Sequence, residues 1–169
     1  IDTLFKMEKD ARNDIQSLYD HVMRQIVAKP DAYESDDLSE FLYSVIAMHV
    51  RRKMYPEAER CLQKAEDVLH TNTGNTLHSP IPLECYKKII VRNWYTANTA
   101  EKAEESFEKL MKLYRGGFTN LQPDCDLYTA YIDARSVRKK DVGKTLEEMI
   151  DLYKSSGDEA LKPQAKVFN

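Results

Sequence analysis

The chain has 169 residues, 42% of them hydrophobic and 31% charged, enough for a real core beneath a water-facing, helix-rich surface. Five glycines and six prolines exclude collagen-like and low-complexity chains, and no apolar run approaches the ~18 residues of a membrane span. A net charge of −3 excludes a polycation that coats nucleic acid by charge alone, and three scattered cysteines without a C-x-x-C exclude a disulfide scaffold or zinc ribbon and point to a reducing interior.

Apolar spacing predicts helices almost throughout. Residues 3–28 place Ala11, Ile15, Leu18, Val22 and Ile26 on one face, and Pro30 ends that helix. A second helix runs from about 37 to 53, with a capping box formed by Asp37 and Glu40 and with Leu42, Val45, Ile46 and Val50 on one side. Pro56 suits a helical first turn, and Ala58, Leu62, Ala65 and Leu69 mark the third helix. Polar, turn-forming residues over 71–81 read as a loop. Helices then cover about 82–95 and 99–115, stopped by Gly116-Gly117, and about 124–138 and 141–155, followed by Gly157.

These helices repeat. Leu42-x-x-Val45-Ile46, Tyr86-x-x-Ile89-Ile90 and Tyr128-x-x-Tyr131-Ile132 align as large-x-x-large-large, and Phe168 opens a fourth copy at successive intervals of 44, 42 and 40 residues. Their partner helices align on Ala58-Glu59-x-x-Leu62, Ala103-Glu104-x-x-Phe107 and Val142-Gly143-x-x-Leu146. A helix pair cannot bury its own apolar face, and stacking on the next pair supplies the missing surface. The expected fold is therefore all-α: an α-solenoid of antiparallel helix pairs. Residues 1–30 form an N-terminal helix, the end of a preceding repeat, and 31–169 form the array, with repeats at about 37–81, 82–122, 123–162 and a start at 163–169. The opening at Ile1 and the close on Lys166-Val167-Phe168-Asn169 read as the ends of a piece trimmed from a longer chain.

The junction Pro123-Asp124-Cys125-Asp126-Leu127-Tyr128-Thr129 resembles the proline–aspartate junction and following tyrosine of pentatricopeptide repeats, and Pro163-Gln164-Ala165-Lys166-Val167-Phe168-Asn169 echoes it. Ala103–Met111 resembles the second helix of such a repeat. The resemblance covers about 37–169, with each copy longer than is usual in that family. It implies a right-handed superhelix of the tetratricopeptide-like class and single-stranded RNA recognition in an organelle, mitochondrial matrix or plastid stroma. One base would be read per repeat by side chains at the fifth and last positions. Here the fifth positions are Tyr43, Lys87, Thr129 and Asn169, and the last positions are Asp124 and Gln164. Lys87 with Asp124 departs from the usual pairings and reads equally as an ion pair. The second position, an apolar wedge in the family, holds Glu84, Asp126 and Lys166.

Charge divides between the two helix types. The three first helices carry ten basic against six acidic residues, and the three second helices eight against thirteen. Arg51, Arg52 and Lys53, then Arg92, then Arg135, Arg138, Lys139 and Lys140 fall late in first helices. Two readings stand: a rim that contacts RNA phosphates, or cations drawn to helix C-termini by the dipole. His21, His49, His70 and His78 show no ligand spacing, and nucleotide-binding and nucleophile-elbow motifs are absent. Carboxylate pairs such as Glu104-Glu105 and Glu147-Glu148 lie among lysines as ordinary helix surface. Tyr86, Tyr128 and Tyr131 read as core, while Tyr43 and Tyr95 are candidates to stack on bases.

The sequence thus points to a non-catalytic organellar RNA-binding adaptor, with no catalytic residues, metal, cofactor, small-molecule substrate or membrane insertion. The alternative is a protein–protein scaffold, a structural subunit of a large organellar assembly, favoured by the acidic balance and the poor wedge positions.

Overall fold

The computed structural model describes residues 2–29, 34–72, 78–93 and 97–164, and for 2–12, 71–72 and 97–98 the backbone only. Pro30, Trp94, Tyr95 and the segment 165–169, including Phe168 and Asn169, lie outside the described residues. All regular structure among the described residues is helical: α1 (Asp2–Ala28), α2 (Ser35–Arg51), α3 (Tyr55–Asn72), α4 (Leu83–Asn93), α5 (Ala97–Arg115), α6 (Cys125–Val137) and α7 (Gly143–Ser156), with 3-10 turns at Thr119–Leu121 and Glu159–Leu161. The expectation of an all-α chain holds. The chain divides into two units, Ile1–Asn75 and Thr76–Asn169.

In the first unit α3 packs against both α1 and α2. The buried face of α1 is Tyr19, Val22, Met23 and Ile26, spaced as i, i+3, i+4, i+7. The stripe is centred one residue later than the sequence suggests: Leu18, expected inside, is 54% exposed, and Tyr19 takes the interior place, with its hydroxyl donating to the Cys61 carbonyl. The capping box expected at Asp37 does not form. Helix α2 begins two residues earlier, behind an extended Glu34 that makes no side-chain cap. Asp36 and Asp37 fall instead in the first turn, where the helix dipole favours negative charge.

In the second unit α5 lies against both α4 and α6, α4 also touches α6, and α6 touches α7. Phe107 on α5 joins these layers: its ring stacks on Tyr131 with centroids 4.2 Å apart and meets Tyr128 edge-on at 5.1 Å. Asp124 caps α6, accepting from the Leu127 amide at 2.9 Å. Left-handed glycines supply two helix stops, Gly117 at φ 116° after α5 and Gly157 at φ 65° after α7.

The repeat read from the sequence is a repeat of burial. Leu42, Tyr86 and Tyr128 are all buried, as are Val45, Ile89 and Tyr131, and Ile46, Ile90 and Ile132. In the second helices Ala58 and Ala103 are fully buried, whereas Val142 departs from them because it occupies the N-cap position of α7. A second register accompanies the first. Ile81, Leu121 and Leu161, spaced 40 residues apart in sequence, are each fully buried outside the α-helices. In the second unit successive junctions are stapled by side chains. Asn120 accepts from the Ser79 amide at 2.8 Å and donates to the Ser79 carbonyl at 2.9 Å, and Gln122 donates to Asp158 at 2.8 Å.

Candidate nucleic-acid interface

The residues singled out as base readers lie on the first helices and on the junctions that follow. In the first unit Tyr43 is half-buried on α2. In the second unit Lys87 on α4 and Asp124 at the start of α6 are brought together across 37 positions: the ammonium donates to Asp124 Oδ2 at 2.5 Å and lies 3.0 Å from Asp126 Oδ2. The two residues expected at the fifth and last positions therefore face one another, and Asp126, expected at the second position of the following copy, joins them. Burial works to lower the pKa of Lys87, but the hydrogen bonds to the two aspartates outweigh it and hold the ammonium above the usual lysine range. The group carries a net charge of −1. Asp124 accepts from Lys87 on one oxygen and from the Leu127 amide at the start of α6 on the other.

Thr129 and Gln164, the corresponding pair of the next repeat, are not joined by a hydrogen bond. The Thr129 hydroxyl donates to the Cys125 carbonyl at 2.7 Å, one turn back on its own helix, and Gln164 is exposed. Asn169 lies outside the described residues.

The cations at the first-helix ends differ in exposure. Arg51, Arg52 and Lys53 of the first unit are exposed, as are Arg92 and Lys139 of the second. Exposure does not leave Arg92 without a partner, and the contacts of Arg135, Arg138 and Lys140 are specific. Arg135 donates to the Asp141 carbonyl at 2.9 Å and to the Tyr131 hydroxyl at 3.2 Å, and its guanidinium sits 5.6 Å from that ring's centroid. Arg138 bridges Glu104 at 3.1 Å and Glu101 at 2.9 Å, and Lys140 reaches the other Glu104 oxygen at 2.6 Å. Glu104 is thus no surface carboxylate: its side chain is 3% exposed on α5, clamped from the turn that follows α6. Nothing in the local spacing around Glu104 signals this, because its partners lie 34 and 36 residues away.

A polar cleft of about 520 Å³ opens in the first unit between α1 and α3. Its walls are already paired: Lys64 binds Asp20 at 2.6 Å, Gln16 bonds Asp20 at 3.3 Å, and Arg60 lies 3.5 Å from Glu57. All three cysteines are buried. Burial pushes the thiols of Cys61 and Cys85 up to about 12, far from the range of a nucleophilic thiolate at neutral pH. Iodoacetamide at pH 8 should alkylate these two thiols on the order of 10³-fold more slowly in the native chain than in urea. Equal rates would show that the helix faces carrying them open freely.

No group of three or more His, Cys, Asp or Glu side chains is placed to hold a metal among the described residues, and none of their helices is long and apolar enough to cross a membrane. Comparison with protein-family models, with curated proteins and with solved structures finds no match to this chain.

Proposed function

We propose that the chain is a non-catalytic RNA-binding adaptor of pentatricopeptide type. Its helix pairs would stack as a right-handed solenoid, and single-stranded RNA would lie along the face of the first helices. The protein would work in an organelle by covering or positioning RNA. The observation that carries this reading is the meeting of Lys87 and Asp124. The resemblance places a fifth and a last position side by side, and these two side chains are side by side although 37 residues separate them. Buried apolar residues 40 positions apart at Ile81, Leu121 and Leu161 support a repeating helix pair.

Fluorescence anisotropy with a labelled 20-nucleotide single strand tests the reading. Binding should be stronger to the single strand than to a duplex of the same sequence. Its logarithm should fall with the logarithm of salt by about 0.7 per phosphate contacted. Absence of binding at low salt would overturn the proposal.

A second reading, a protein scaffold within a larger assembly, is favoured by the same triad seen from the other side. With Lys87 quenched by Asp124 and Asp126, that repeat presents net negative charge where a phosphate backbone would run. It predicts partners that remain at fixed stoichiometry after ribonuclease treatment.

A further inference from the structure

Helix α6 is covered over most of its surface, and what it leaves open is a single line. Between Asp126 and Ala134 every residue is buried except Asp126, Thr129 and Asp133. These follow one another at steps of three and four and so share one face of the helix. The rest of α6 is taken up by α4, α5 and α7, which pack around it. All of this lies within the second unit.

The three side chains of the line are in different states. Asp126 is joined to Lys87 at 3.0 Å. The Thr129 hydroxyl gives its hydrogen to the Cys125 carbonyl at 2.7 Å, so it presents only lone pairs to the outside. Asp133 is half-buried and makes neither a hydrogen bond nor an ion pair among the described residues. Burial holds its carboxyl above the ordinary aspartate range. The other carboxylates of this unit that are drawn away from water are paired: Glu104 with Arg138 and Lys140, Asp124 and Asp126 with Lys87, and Glu148 with Arg115. Asp133 departs from that rule, and a carboxylate withdrawn from water without a donor is destabilising until one arrives.

Thr129 and Asp133, one turn apart, offer acceptors and no donor. Whatever fills the line here must bring N–H or O–H groups. A phosphate brings oxygens and charge of the same sign, so a strand passing Asp133 has to turn a base toward it and keep its backbone away. Guanine alone among the four bases sets two N–H donors side by side on its Watson–Crick edge, at N1 and the 2-amino group, spaced for the two oxygens of a carboxylate. Adenine and cytosine set their amino group beside an acceptor nitrogen, and uracil sets its N–H between two carbonyls. Each of these brings a lone pair against the carboxylate.

We propose that Asp133 is a base-reading residue that selects guanine in single-stranded RNA, with the Thr129 oxygen as the neighbouring acceptor. The inference rests on the RNA-binding reading above and names the base taken at α6. Asp133 is not among the positions to which the resemblance assigns base reading.

The test uses the full chain and three labelled 20-nucleotide strands: oligo(U), the same strand with one central guanosine, and the same strand with inosine in that place. Inosine keeps N1–H and lacks the 2-amino group. The guanosine strand should bind about tenfold more tightly than oligo(U), and the inosine strand should lose most of that gain. Asp133→Asn, which keeps the shape and sets an amino group against the guanine donors, should bring the three strands to within about twofold of one another. It should bind oligo(U) no more weakly than the parent does. A folding defect weakens all strands together, so the ratio between strands carries the result, and Asp133→Ala checks it with a second side chain.

Equal binding of the guanosine and uridine strands by the parent would overturn the assignment and leave the RNA reading standing. A guanosine preference that survives Asp133→Asn would do the same. Oligoarginine bound more tightly than any strand, and released by Asp133→Asn, would give the carboxylate to a guanidinium of a protein partner instead. A parent chain that binds none of the strands would remove the RNA reading, and the assignment with it.

Discussion

Phe107→Ala should destabilise the second unit by about 3–5 kcal/mol, a large fraction of the ~5–15 kcal/mol that holds a domain folded. The ring is 2% exposed and touches Tyr128 edge-on and Tyr131 face-on, so its removal opens a cavity between α5 and α6 and strips two aromatic contacts at once. The tyrosines cannot collapse into the space without giving up their own anchors, the Tyr131 hydroxyl to Glu108 at 3.0 Å and the Tyr128 hydroxyl to the Met111 sulfur at 3.8 Å. Urea denaturation followed by circular dichroism measures the loss, and near-ultraviolet ellipticity reports the tyrosine packing directly. Phe107→Leu refills most of the volume and should lose markedly less. A cost below about 1.5 kcal/mol for the alanine variant would mean that the α5–α6 seam is not what holds the unit together.

The second large effect is electrostatic. Arg138→Ala/Lys140→Ala should cost about 3–5 kcal/mol, because it strands the carboxylate of Glu104, 3% exposed, without a counter-charge. Arg138→Ala alone should cost less, since Lys140 still holds one oxygen at 2.6 Å. Replacing all three by leucine should recover most of the loss. The penalty comes from an uncompensated buried charge, and an apolar trio does not carry one. The denaturation midpoints of the single, double and triple variants, compared at equal m-values, decide this. A double variant as stable as the parent would show that water reaches Glu104 freely.

Helix spacing, the repeat and most of the buried positions are legible in the sequence, because burial on a helix has a period and each copy reproduces it. Tyr86, Tyr128 and Tyr131 are recognisable as core for that reason. The start of α1's buried stripe is misplaced by one residue because Leu18 and Tyr19 are both apolar, and the helical period alone does not choose between neighbours. The cap of α2 is misread because three polar residues in a row each satisfy the capping rule.

The candidate site is legible only where its residues act through their own positions. The Lys87–Asp124 pair was one of two readings, and the ion pair is what the side chains make. The differences in exposure along the basic rim were not legible at all. Arg138, Lys139 and Lys140 are adjacent and chemically alike, and what separates them is a backbone angle at the middle residue and a carboxylate 34 and 36 residues earlier. The buried positions Ile81, Leu121 and Leu161 escape the sequence reading because they lie outside the α-helices on which periodicity is sought.

The helices pair with immediate or next-but-one neighbours along the chain, α1 with α3 and α4 with α6 being the widest of these partnerships. Little loop closure is required before contacts begin to form, so folding should be rapid and can nucleate in either half. During synthesis, each helix pair can set as soon as its own forty or so residues have emerged from the ribosome, without waiting for a distant terminus to arrive.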